Sequence, residues 1–249
     1  VLGIPSIEIV GIGSQLGCLA GAVPNVDQFS QLELYRELLE LKFGRPVPLI
    51  SAGTSSTLAM LRRGHEIPRG INHFRVGEAV FLGTDLVYGG VIEGLRDDVV
   101  QLEAEIAEIT EKSLVPMTET GATTPFEAVN EGDGAPSPGE RGYRALISIG
   151  QLETDVSGLT PVDPRHHIAG ASSDVVVVNL GKDTGGLSVG DRIRFRVNYA
   201  AFLRLMASRY IRSEVYPSLP TFREEMPDNP PVDLCPPMLD ERTSGDNAG

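Results

Sequence analysis

Positive charge is scarce in this 249-residue chain, and lysine is scarcer still. Lys and Arg together number 21 against 34 Asp and Glu, a formal net charge of −13. An acidic surface of this kind repels phosphate backbones and anionic headgroups, which excludes nucleic acid and an anionic membrane as main partners. Small anions, which bind at local features, stay open. Only Lys42, Lys112 and Lys182 are lysines, so chemistry that needs a lysine amine has three candidates in this chain. Cysteine is limited to Cys18 and Cys235, too few and too far apart for a disulfide framework or a metal cluster. No apolar run approaches the ~20 residues that a membrane span needs. The opening Val1-Leu2-Gly3-Ile4-Pro5 has no basic region and no secretory pattern, and a cytoplasmic protein is expected. It also has no initiator Met, so the chain reads as a piece of something longer. What is present is ordinary globular composition: 41% hydrophobic residues argues against wholesale disorder. A chain of ~250 residues can bury roughly three quarters of its unfolded surface, in one large domain or two small ones.

Residues 1–95 read as strand–helix units. Ile7-Glu8-Ile9-Val10-Gly11-Ile12 is a short β-rich run, followed by a Gly-rich loop over 13–21. Asn25 stands as a helix cap with Gln28 in the capping-box position, and Phe29, Leu32, Tyr35, Leu38 and Leu39 recur at helical spacing as the apolar face. Gly44 and Pro46 end that helix. The next strand is expected over 47–50, a helix from Thr54 or Ser55 to Arg62, a third strand over 74–76 and a short helix over 78–82. Strand alternating with helix implies a parallel sheet, open or closed into a barrel. Between residues 90 and 99 the rhythm changes, and 96–215 reads as a mainly β domain. Strands are expected over 100–109, 144–149, 174–179 and 191–198, with turns at Gly158, Gly181, Gly185-Gly186 and Gly190, a long loop over 121–142 and a helical turn or two over 202–207. Residues 216–249 form a tail in which seven of the 18 prolines fall between Tyr216 and Pro237, and it is expected to be extended and disordered.

Two strand ends carry anion-binding character. Ser51-Ala52-Gly53-Thr54-Ser55-Ser56-Thr57-Leu58 follows a strand and opens a helix. Gly53 is expected to let the backbone approach a ligand, and Thr54 and Ser55 set hydroxyls beside the free N–H groups of a helix start, where the dipole favours an anion such as phosphate. A capped helix alone explains the same residues. Asn72-His73-Phe74-Arg75-Val76-Gly77-Glu78-Ala79 repeats the pattern: Gly77 and Glu78 can offer N–H groups to the same anion, and Arg75 sits where a strand end aims at a ligand, or is a solvated surface charge. Gly11-Ile12-Gly13-Ser14-Gln15-Leu16-Gly17-Cys18 lacks the spacing and the downstream acid of a dinucleotide site. Cys18 reads as buried, not nucleophilic. His166 and His167 have no third ligand nearby and read as solvent-facing residues at a strand start.

Taken together these runs resemble the alanine/ornithine racemase family, pyridoxal-phosphate enzymes with a (β/α)8 barrel and a C-terminal β domain. Later runs in the same order include Leu102-Glu103-Ala104-Glu105-Ile106, Gly158-Leu159-Thr160-Pro161, Gly170-Ala171-Ser172-Ser173-Asp174 and Phe195-Arg196-Val197-Asn198-Tyr199. The likeness is nearest to the ornithine-racemase-like branch. The fold it implies is α/β plus β: the C-terminal part of a TIM-like barrel over 1–95, then a mainly β domain. By the resemblance Ser55 and Thr54 bind the pyridoxal 5'-phosphate phosphate, Gly77 and Glu78 add backbone N–H groups, and Tyr199 lends its phenol. Arg75 faces the pyridine nitrogen. An arginine does not readily give up its proton, so that nitrogen stays unprotonated and the cofactor is the milder electron sink that suits a racemase. Ser173 and Asp174 lie in the loop that approaches the substrate carboxylate in the partner subunit's site, which implies a homodimer acting on an amino acid as small-molecule substrate.

Two positions depart from the family pattern. The lysine that carries the cofactor stands early in the family's barrel, and none of the three lysines here replaces it, so this chain by itself is expected to be inactive. Gln151, in Gly150-Gln151-Leu152-Glu153, stands where alanine racemases have the tyrosine that acts as second acid/base. A glutamine exchanges no proton at neutral pH, which leaves Glu153 and Asp155 as nearby candidates. The alternatives are a non-catalytic pyridoxal-phosphate binder on the same scaffold and an unrelated phosphate-binding barrel piece.

Overall fold

The computed structural model describes residues 4, 6–17, 21–114, 139–218, 220, 221 and 224. The chain divides into two compact units, Val1–Tyr210 and Ile211–Gly249. Cys18, Cys235, residues 121–138 of the expected loop and nearly all of the expected tail lie outside the described residues. In the second unit the described contacts are short-range and exposed: an Arg212–Glu214 ion pair at 3.2 Å and a Ser218–Thr221 hydroxyl contact at 2.8 Å.

The first unit opens with strand–helix alternation. Strand β1 (Gly11–Gly13) pairs in parallel with β2 (Leu49–Gly53), which pairs in parallel with β3 (His73–Phe74), in spatial order β1-β2-β3. The expected strand over 7–12 pairs only from Gly11. Ile7 and Val10 before it are 50% and 51% exposed. Helix α1 (Val26–Phe43) starts as the sequence predicts: Asn25 Oδ1 accepts the Gln28 N–H at 2.9 Å and the Gln28 side chain accepts the Asn25 N–H at 3.1 Å. It stops at Gly44, whose φ of 61° is the left-handed conformation that favours glycine. Phe29 and Leu32 pack with Leu16, Ile50, Ala52 and Ile71. The rest of the expected apolar face does not reach this core: Tyr35 is 54% and Leu38 51% exposed. A three-stranded sheet gives the helix surface to cover along its first turns only.

The second half is antiparallel. Strands β4 (Gln101–Ser113), β5 (Arg141–Ile147), β6 (Leu159–Pro161), β7 (His167–Ala171), β8 (Val176–Gly181) and β9 (Arg192–Val197) lie in the order β6-β9-β4-β5-β8-β7. Strand β4 is long enough to pair β9 through Gln101–Glu105 and β5 through Ile106–Ser113. A register shift between Ile106 and Glu108 explains why Leu102, Ala104 and Ile106 share one parity while Ile109 has the other: the extra residue turns the strand over. Ile106, Ile147, Val176, Val178 and Phe195 are fully buried and form the centre of this half. The short β6 is absent from the sequence expectation, because three residues ending in proline carry too little alternation to register.

Helix α4 (Tyr199–Ala207) follows β9 directly, three residues earlier than its apolar pattern suggests, because Asn198 caps it through the Ala201 N–H at 2.9 Å. The helices α2 (Ser55–Arg62) and α3 (Glu78–Leu82) fall where expected. Phe202 of α4 stacks on Phe81 of α3 with ring centroids 5.8 Å apart. Among the described residues no helix is long and apolar enough to cross a membrane. A strand–helix half followed by a mainly β half is the organisation expected from the sequence.

Candidate functional site

The starts of α2 and α3 meet at one hydrogen bond. Thr54 precedes α2 in extended conformation, and its Oγ1 accepts the Thr57 N–H at 3.4 Å, so this hydroxyl serves as the cap. Ser55, the first helical residue, is 7% exposed, and its Oγ accepts the Ala79 N–H of α3 at 3.2 Å. An acceptor bond to Oγ leaves the Ser55 O–H free to donate. The first N–H groups of each helix have no partner inside it, so the joined starts gather amide donors on one side. Gly77 immediately precedes α3, and a Cβ there would meet open space. Burial pushes the Glu78 carboxyl above its ordinary pKa, against the smaller opposite pull of a Thr84 hydrogen bond.

Arg75 is exposed yet held at both terminal nitrogens. Nη1 donates to the Ser51 carbonyl at 2.9 Å and to the Ser51 hydroxyl, and Nη2 donates to the Ser14 carbonyl at 3.0 Å and to Gln15 Oε1 at 2.8 Å. The guanidinium thus links Ser51 of β2 to Ser14 and Gln15 just past the end of β1, and the Arg75 backbone N–H bonds the Gly53 carbonyl at 2.9 Å. Among the described residues its Nε–H has no partner and is the donor left for a ligand. His73 Nδ1 shares the Ser51 hydroxyl at 2.8 Å. Ser51, Ser14 and Gln15 are the positions that sequence reasoning missed. All three lie inside the motifs quoted above, but only the pairing of β1 with β2 puts them beside Arg75.

Gly53 requires a correction. The space its missing Cβ leaves is filled by the Phe74 ring, whose Cδ1 would stand 2.1 Å from an added Cβ. The glycine serves the packing of β3 on β2, and not a ligand's approach.

Tyr199 opens α4, is 44% exposed, and has no hydrogen-bond partner for its phenol among the described residues. Tyr199 and Phe202 are three apart and share a face of α4, and Phe202 stacks on Phe81, three residues beyond Glu78 on α3.

Ser173 and Asp174 stand elsewhere. The Ser173 hydroxyl donates to Asp174 Oδ2 at 2.7 Å, and among the described residues no hydrogen bond or ion pair links them to Ser55, Arg75 or Gly77. Their loop is joined instead to the Gln151 segment: the Gln151 N–H bonds the Ser172 carbonyl and the Leu152 N–H the Ser173 carbonyl, both at 3.0 Å. A Cβ at Gly150 would stand 2.3 Å from the Ser173 carbonyl oxygen, so this approach requires glycine. The candidate acids nearby serve local turns. Glu153 Oε2 accepts the Gly150 N–H at 3.0 Å, and Asp155 Oδ1 accepts the Ser157 N–H at 3.2 Å and its hydroxyl at 2.6 Å.

The lysines are dispersed. Lys42 ends α1 with its ammonium 5.5 Å from the Phe43 ring centre, Lys112 pairs with Glu108 across 3.8 Å on β4, and Lys182 follows β8. The histidine expectation is half corrected: β7 does begin at His167, but His166 is only 8% exposed because its ring packs into the wall of a cavity.

No family model matches the chain. It is 36% identical over 217 residues to the ornithine racemase of Acetoanaerobium sticklandii, covering 86% of this chain and 59% of that protein. To the lysine racemase of Thermotoga maritima it is 36% identical over 214 residues, covering 85% and 58%. Among solved structures, the biosynthetic alanine racemase of Pseudomonas aeruginosa aligns with a TM-score of 0.47 and 15% identity, over 85% of this chain and 55% of that one. The chain spans less than two thirds of the length of the curated relatives it matches. With 36% identity sustained over most of its length, the chain is similar to these ornithine and lysine racemases.

Proposed function

We propose that this chain is part of a pyridoxal-5'-phosphate-dependent amino-acid racemase, a cytoplasmic homodimer, and that it supplies the cofactor's phosphate cradle and the β domain. Residues 1–95 would be the C-terminal part of the barrel, 96–215 the β domain and 216–249 an appended tail. The observation that carries the reading is the Ser55–Ala79 hydrogen bond, which joins two helix starts, each preceded in sequence by a strand end that Arg75 contacts or follows. The residues fit the cofactor. Ser55 has a free O–H, the joined starts offer amide donors, Gly77 leaves room, and Arg75 keeps its Nε–H.

When bound, pyridoxal 5'-phosphate supplies an electron sink that acidifies the α-proton of an amino acid. Thr54 holds the first turn of α2 rigid. Ser55, Gly77 and Glu78 would bind the phosphate, joined by the Tyr199 phenol. Arg75 would offer Nε–H to the ring nitrogen without transferring a proton, and its four terminal bonds fix the angle of that offer. Ser173 and Asp174 would meet the substrate carboxylate in the partner subunit. None of the three lysines stands at the cradle, so the amine that carries the cofactor is assigned to sequence outside this chain, and the chain by itself would be inactive. The names of the relatives favour a diamino acid such as ornithine or lysine as substrate.

Gln151 supports a second reading, a non-catalytic binder on the same scaffold, because its amide cannot exchange a proton. One experiment separates the two. The native full-length protein is mixed with pyridoxal 5'-phosphate and then with L-ornithine or L-lysine in D2O. An absorbing cofactor complex with loss of the α-proton from either enantiomer supports the racemase. A complex without exchange supports the binder, and no complex at all refutes both.

A further inference from the structure

A second concavity lies in the β half, remote in sequence from the cradle. It has a volume of about 540 Å³ and is formed by the turn from β6 to β7, the turn from β8 to β9, and the start of β9. That volume suits a small molecule. Arg165, Arg192 and Arg194 line it, with Asp163 as the one acid among the described residues, so this lining carries net positive charge in a chain of net charge −13.

The three arginines are not equivalent. Arg165 grips Asp163 through Nε at 3.1 Å and Nη2 at 2.7 Å, and this pairing holds the Asp163 carboxyl well below the usual carboxylate range, so the two charges cancel. On β9, Arg192, Arg194 and Arg196 alternate along the exposed face while Ile193, Phe195 and Val197 point into the core. Arg192 pairs with Glu103 at 3.4 Å and Arg196 with Asp97 at 3.5 Å. Arg194 lies opposite Glu103 in register, but that carboxylate is taken by Arg192. Among the described residues the Arg194 guanidinium has neither an ion pair nor a hydrogen bond.

His166 gives an independent observation. Its side chain is 7% exposed, its Nδ1 is buried without a hydrogen-bond partner among the described residues, and its Nε2 stands 3.9 Å from Asp163, beyond hydrogen-bond reach. A buried polar atom in a folded protein is nearly always paired, so the orphan Nδ1 leaves His166, a residue of the cavity lining, with unused hydrogen-bonding capacity. Leu187, Val162 and Pro164 supply apolar wall beside it.

We propose that this cavity binds a small anionic molecule, its phosphate or carboxylate oxygens held by Arg194, a polar group at His166, and its apolar part against Leu187 and Val162. The site is separate from the cofactor cradle and does not depend on the racemase reading. Free guanidinium, orphan imidazole and apolar wall converge on an oxyanion carrier of metabolite size.

The test is a titration of the full chain with pyrophosphate and, separately, with citrate, at constant ionic strength. Binding is read by calorimetry and by the ring nitrogen resonances of His166. Saturable binding of either probe that moves His166 supports the site; the probe that binds tighter names the phosphoryl or carboxylate class. Arg194→Gln is expected to weaken that binding roughly tenfold or more, and Arg194→Lys, which keeps the charge, by less. Arg196→Gln removes the same charge from the same strand face outside the cavity and is expected to leave affinity unchanged. Equal losses in Arg194→Gln and Arg196→Gln, a motionless His166, or no binding of either probe would overturn the proposal.

Discussion

Ser55→Ala removes one oxygen and tests the join between the two helix starts. Ser55 Oγ accepts the Ala79 N–H at 3.2 Å, and the two residues are 7% and 0% exposed. In the variant that amide loses its partner where water hardly reaches. An unsatisfied buried donor costs about 1–3 kcal/mol, and the length of this bond places it toward the low end, ~1–2 kcal/mol. In a unit of roughly 200 residues each kcal/mol lowers Tm by ~2–4 °C, so a fall of about 2–8 °C is expected by circular dichroism. A second loss is independent of the first. If the free O–H bonds the cofactor phosphate, a charge-assisted bond of ~1.5–3 kcal/mol disappears, which is about 10–100-fold in pyridoxal-phosphate affinity. Ser55→Thr keeps the hydroxyl and separates the two effects: it can strain the buried pocket, but it should retain much more affinity than Ser55→Ala at equal Tm. Unchanged melting together with unchanged affinity in Ser55→Ala would refute both roles.

Gly53→Ala drives a Cβ to 2.1 Å from Phe74 Cδ1, an overpacking expected to cost ~1–3 kcal/mol in urea unfolding. Phe74→Ala in the same chain should recover most of that loss, and strictly additive effects would show that the ring is not what the glycine accommodates. Gly150→Ala meets the Ser173 carbonyl oxygen at 2.3 Å, and backbone cannot swing aside as a ring can. Its stability loss should therefore exceed that of Gly53→Ala, and the reverse order would contradict the loop packing. Burial, the largest cause, lowers the His166 pKa below its ordinary 6.5, so the unfolded chain binds this proton more readily than the native one. The associated stability is complete above about pH 6.5 and is lost as pH falls toward the lower folded value. His166→Phe should narrow the difference in urea midpoint between pH 7.5 and 5.5, and an unchanged difference would mean that His166 does not titrate in that window.

The α/β half was most legible where a local rule suffices. Asn25, Gln28 and Gly44 fix both ends of α1 through contacts within a few residues, and such contacts are encoded in neighbouring letters. Which side of α1 is buried was not legible beyond Leu32, because burial depends on how wide a sheet lies beneath it. In the β half, alternation located β4, β5, β8 and β9 to within a few residues. It missed β6, whose pairing with β9 is set by the partner strand and not by its own three residues.

For the site, residue types were legible and hydrogen-bond assignments were not. Thr54, Ser55 and Arg75 stand out as hydroxyls and a cation at strand ends, and the order of strand and helix places strand ends together. Yet each has donors and acceptors that the fold must first satisfy. Thr54 gives its oxygen to its own helix, Ser55 accepts from a second helix 24 residues on, and Arg75 gives its terminal nitrogens to strand ends 24 and 61 residues away. What remains for a ligand is the residue's capacity less these internal bonds: one O–H at Ser55 and one Nε–H at Arg75. The same subtraction separates Arg194 from Arg192 and Arg196, three arginines that an Arg-Ile-Arg-Phe-Arg-Val pattern presents as equal. A functional group is read from sequence as a type and from structure as a remainder, and both the cradle and the second cavity rest on such remainders.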